Sequence, residues 1–187
     1  MKKTSTFILT ATWILFSRAY DAYCTHNLTP DLTKESNPLV SILNMNWTPL
    51  LLTIGTLTLY SLFCYFLVLF KPMVLIPSKK GYTFSQFVAY LYLGKKESWP
   101  AIFYKFPKDF QRFNHYMGWM MSKFLVYAGI VSTTMWLFIN YTEWYKNVHS
   151  AAVIYSILII GCILITYFWN KKLYKGYLIN TNSNLES

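Results

Sequence analysis

Two carboxylates, Asp21 and Glu35, flank a short polar stretch and are the residues of this chain best suited to proton transfer. General acid–base chemistry needs titratable groups held within hydrogen-bond reach of one substrate. Arg18, Asp21 and Thr25 recur at steps of three and four, which places them on one helix face. An ionised carboxylate beside hydrocarbon is costly unless paired, and Arg18, one turn below, is the nearest expected partner. Glu35 precedes Asn37-Pro38, a dipeptide that favours a turn or a helix start. The same six residues (Arg18, Asp21, Thr25, Glu35, Asn37 and Pro38) read equally well as a structural clasp between a helix and the loop that follows it.

Other chemistry is poorly provided for. His26 and His149, with Asp31 and Glu143, are the donor types of a two-histidine, carboxylate metal site. They share no HExxH-like spacing, so neither a metal nor a cofactor is expected. Cys24 has no evident activating base, Ser36 lacks a nucleophile-elbow context, and no glycine loop for phosphate is present. No complete catalytic constellation emerges.

The elements that must position these residues are apolar. The 187 residues are 55% hydrophobic and 20% aromatic, too greasy for one soluble domain, and carry a formal charge of +10. Nucleic acid is not the expected partner of that charge, because the basic residues flank apolar stretches instead of forming one patch. The stretches 7–25, 49–70, 117–140 and 151–169 each approach the length needed to cross the hydrocarbon layer, about 20 residues. An all-α, four-transmembrane-helix bundle is expected, a single membrane domain over 1–187. The first stretch is read as an uncleaved span, since Arg18 within Ser17-Arg18-Ala19 is unfavourable at a signal-peptide cut. Thirteen Lys and Arg fall on one side, in the termini and loop 71–116, against Lys34 and Lys146 in loops 26–48 and 141–150. The excess of basic residues predicts cytoplasmic termini.

Loop 71–116 is too aromatic to be a bare linker. Phe84, Phe87, Val88 and Leu91 fall on one face of a short helix, and a basic-aromatic run follows from Phe103 to Phe113. The pattern predicts an interfacial helix resting on anionic lipid, with Lys79, Lys80, Lys95, Lys96, Lys105, Lys108 and Arg112 contacting headgroups or a partner protein. Within the spans, Gly118-x3-Ser122 and Gly129-x2-Ser132 offer small-residue contacts between helices.

Asp21-x3-Thr25 followed by Glu35-x-Asn37-Pro38-Leu39 resembles an uncharacterised family of small four-span bacterial and archaeal membrane proteins. The resemblance covers residues 21–39 and departs from the family in a loop without glycine. It implies a bacterial inner membrane and one site shared by Asp21, Thr25, Glu35 and Asn37, and it carries no activity. The expected function is therefore non-catalytic: an accessory or assembly subunit of a larger envelope complex, surrounded by lipid and other membrane subunits. The alternatives are an interfacial enzyme using Asp21 and Glu35 on a lipid or peptide at the outer leaflet, and a lipid- or small-ligand-binding protein.

Overall fold

The computed structural model describes residues 2–33 and 35–183. Lys34, counted above for topology, lies outside them. Four long helices dominate: α1 (Lys3–Leu28), α3 (Trp47–Phe70), α5 (Phe110–Tyr141) and α7 (Ala151–Ser183). Between them lie the short helices α2 (Pro38–Ser41), α4 (Phe84–Leu93) and α6 (Glu143–Val148), and a 3₁₀ turn at Trp99–Phe103. No strand occurs among the described residues.

Helix ends follow local chemistry. α3 stops at Lys71 because Pro72 pushes its predecessor out of the helical region, here to φ −126 and ψ 62. A Thr83–Gln86 capping box starts α4, and Gly94 ends it at φ 73, a left-handed value that glycine adopts without a Cβ penalty. Asp109 accepts the Arg112 N–H at 3.0 Å to open α5.

α5 is the spine, packing against α3, α1 and α7. Gly118 lets it lie directly on α3: a Cβ there would overlap the carbonyl of Cys64 and come within 2.9 Å of Val68 Cγ2. Gly129 does the same for α1, where a Cβ would lie 2.9 Å from that of Ser17. Both small-residue contacts expected from the sequence are therefore present, with Ser122 and Ser132 buried beside them. α1 runs parallel to α5. Their pairs climb in step: Trp13 Nε1 to the Val126 carbonyl (3.3 Å), Arg18 to Ser132, Asp21 to Trp136, and Asn140 Nδ2 to Cys24 Sγ (3.8 Å).

Among the described residues three helices, not four, are long and apolar enough to cross a membrane: Trp47–Phe70, Phe110–Tyr141 and Ala151–Asn180. By hydropathy, α1 falls short of the four-span expectation. Its 26 residues are sufficient in length, but Thr4, Ser5, Thr6, Thr10, Thr12, Ser17, Arg18 and Asp21 dilute its hydropathy. α7 also continues past Trp169, the expected end of the last span, as far as Ser183.

That extension overturns the expected role of α4. Its apolar face is turned into protein, not toward lipid: Phe87 and Leu91 are fully buried, in a core with Leu75, Tyr82, Tyr116, Met120 and Tyr177. Leu173 and Tyr174 of α7 pack against this core, and Phe84 meets the rings of Tyr167 and Tyr174. Amphipathic spacing specifies a buried face and leaves its partner open. Tyr177 ties the assembly together, its hydroxyl accepting the Tyr82 N–H at 3.1 Å and donating to the Lys79 carbonyl at 3.2 Å. Tyr177→Phe should strand that buried N–H and lower stability by about 1–3 kcal/mol, read as a lower unfolding midpoint in detergent.

His115 fastens the loop from beneath. The buried ring places Nδ1 2.8 Å from the Gln111 carbonyl and Nε2 2.6 Å from that of Lys71, at the C-terminus of α3.

Candidate functional site

The polar residues singled out from the sequence gather at the end of the bundle opposite α4, in two groups. In the first, Trp136 of α5 donates its indole N–H to Asp21 Oδ1 at 2.7 Å. Arg18 Nη2 donates to Ser132 Oγ at 3.0 Å, while Nη1 lies 3.7 Å from Asp21 Oδ2. Arg18 is thus the ionic partner of Asp21, as expected, but the short hydrogen bond to the carboxylate comes from across the helix interface. The buried Nε of Arg18 has no hydrogen-bond partner among the described residues. Cys24, Trp136 and Ile139 form a small apolar cluster at this end, with Tyr20, Met135 and Tyr145 of α6 packed on it.

The second group is the loop after α1. Glu35 Oε1 accepts the Asn37 N–H at 2.8 Å, and Asn37 Oδ1 accepts the Leu39 N–H at 3.0 Å. Asn37 is thereby the N-cap of α2 with Pro38 in its first turn, where a missing N–H costs nothing. Thr25 contributes its backbone carbonyl, which accepts from Thr29 at 2.8 Å as α1 ends. Asp31 accepts from the Thr33 N–H and from the hydroxyls of Thr33 and Thr29. These bonds, led by the Thr33 N–H, hold its carboxyl below the usual carboxylate range.

Sequence reasoning missed Trp136 and Ser132 as hydrogen-bonding groups. Trp136 carried a usable signal, because a buried indole N–H must find an acceptor.

Among the described residues, one shallow surface concavity of about 310 Å³ lies within the second group, lined by Leu28–Asp31 and Thr33, and another of about 400 Å³ lies between Tyr127 of α5 and Ile157–Ile165 of α7. Neither is lined by Asp21, Glu35 or Asn37. Among the described residues no three His, Cys, Asp or Glu side chains gather as a metal site. His26 packs against the Trp47 ring, and His149 bonds the Lys146 carbonyl at 2.8 Å.

The basic residues of loop 71–116 divide. Lys96 is bonded to the Gly81 carbonyl, Lys105 to Glu97, and Arg112 to the Leu75 carbonyl beneath Tyr90. Lys79, Lys80, Lys95 and Lys108 are exposed and form no ion pair among the described residues. No protein-family model, curated protein or solved structure matches the chain.

Proposed function

We propose that this protein is a non-catalytic integral membrane subunit that supports the assembly of a larger envelope complex. One observation carries the reading: the carboxylates able to do chemistry are engaged in structural bonds, Asp21 with Trp136 and Arg18, Glu35 with the backbone of Asn37. A general base must be free to reach a proton on its substrate. The exposure of α7 supports a lateral partner. None of its most apolar stretch is buried, and Val153, Ile159, Ile163 and Phe168 stand open along it. Lipid or another subunit covers such a face.

α1 serves as a fourth crossing in this proposal. Its pairing with α5 from Trp13 to Cys24 gives Trp13, the Arg18 Nη2 and Asp21 hydrogen-bond partners across the helix interface, and this offsets part of its modest hydropathy. The sorting of Lys and Arg supports termini and loop 71–116 in the cytoplasm of a bacterium, with Asp21 near the outer leaflet of the inner membrane. The resemblance over residues 21–39 agrees with that setting.

Mild purification of the tagged chain from its native membrane should recover a second protein in fixed proportion, with Asp21→Asn and Glu35→Gln retaining it. A solitary chain, or variants that fold and accumulate normally yet lose a membrane reaction, would replace this reading with the enzyme.

A further inference from the structure

Between Trp99 and Phe110 the chain exposes Trp99, Phe103, Tyr104, Phe106 and Phe110, with Phe106 at 90% exposure. These rings belong to an ordered strap. Trp99 N–H donates to Ser85 Oγ at 3.0 Å, and Lys108 N–H donates to the Leu93 carbonyl at 3.0 Å. Both ends are therefore pinned to α4, and Ala101 is fully buried on the inner side. The crest, Phe103–Phe106, is what remains outward. Because α4 buries its own apolar face against α5 and α7, the strap is the part of this loop with bare aromatic surface.

The strap also has a defined place. It runs directly into α5, whose 32 residues reach about 48 Å, well beyond the roughly 30 Å hydrocarbon layer. The crest is thus tethered at the first turn of α5, within reach of the membrane interface. Aromatic residues concentrate at that depth, and contiguous exposed apolar surface marks a contact site. The charge is complementary to an anionic surface: residues 71–112 hold eight Lys and Arg against Glu97 and Asp109. Lys95 and Lys108, at the strap's margins, are exposed.

We infer that residues 99–110 form a membrane-inserted strap, with Phe103, Phe106 and Phe110 among the upper acyl chains and Lys95 and Lys108 at the phosphates of anionic lipids. The inference rests on the membrane-embedded reading and is independent of any partner subunit.

The test uses the full chain in lipid nanodiscs with Cys162 replaced by alanine, since Cys24 and Cys64 are buried. Single cysteines carry a polarity-sensitive fluorophore in Phe106→Cys, in Lys80→Cys as the water-facing reference and in Ile159→Cys as the acyl-facing reference. Position 106 should be quenched several-fold more strongly than position 80 by phospholipid bearing a nitroxide near the headgroup, and should resist iodide. Quenching should weaken in purely zwitterionic lipid and in the Lys95→Gln, Lys108→Gln background. Free access of iodide to 106, with 159 still quenched by lipid, would overturn the strap and leave the membrane reading intact. Failure at 159 as well would remove the membrane reading itself. Protection of 106 from both quenchers would mean that protein covers the crest, and would also overturn the inference. Equal lipid quenching with and without anionic lipid would overturn the role of the lysines.

Discussion

Gly118→Val is expected to yield no folded protein. At this position α5 lies on the backbone of α3, and even a single methyl group would occupy the space of the Cys64 carbonyl and crowd Val68. Overpacking a core costs about 1–3 kcal/mol when side chains can move aside. Here the obstacle is main chain, so the two helices must separate and the buried surface between them is lost. Gly118→Ala should survive with a sharply lowered unfolding midpoint. Cys64 reports the event: it is fully buried and its backbone faces Gly118, so reaction of its thiol with a maleimide dye should begin at lower temperature in the variant. Gly55→Ala is the control, because a Cβ there meets nothing within 4 Å and alanine favours the helix. If Gly118→Ala and Gly55→Ala melt alike, the α3–α5 seam is not where this fold is held.

Asp21 gives the second large effect, and it separates clasp from catalyst. Asp21→Ala removes the acceptor of the Trp136 N–H and the counter-charge of Arg18. Hydrogen bonds to charged groups contribute about 1.5–3 kcal/mol, and bonds between membrane helices average nearer 0.6. Because Asp21 is one-third exposed, a loss of about 1–2 kcal/mol is expected. Trp136→Phe should cost less, since the ring still fills its place beside Cys24 and Ile139. In the double variant the losses should fall short of their sum by on the order of 0.5–1 kcal/mol, the coupling of a direct contact. Measured by reversible unfolding in detergent, strict additivity would dissolve the clasp.

Periodicity and hydropathy made α3, α5 and α7 legible, because each is an apolar run bounded by charge or proline. α1 was harder, since its threonines, Arg18 and Asp21 are tolerable only beside the α5 groups that receive them, and those lie more than a hundred residues away. The apolar face of α4 was visible in Phe84, Phe87 and Leu91, but its partner was not. Burial against tyrosines and burial in lipid demand the same spacing. Tyr174 and Tyr177 lie beyond the expected end of the last span at 169, yet the helix continues and carries them into the core. At the polar end, local sequence was enough for the caps: Asn37-Pro38 opens α2 as read. It was not enough for Trp136, whose role depends on how helices align in depth.

The core around Phe87 and Leu91 has a consequence for biosynthesis. Leu173, Tyr174 and Tyr177 close it, and they leave the ribosome long after α4 does. Until they arrive, the nascent chain displays an unfinished aromatic surface, which gives chaperones time to engage it. Premature termination before position 173 would make that surface permanent, a mark by which quality-control proteases can recognise truncated product.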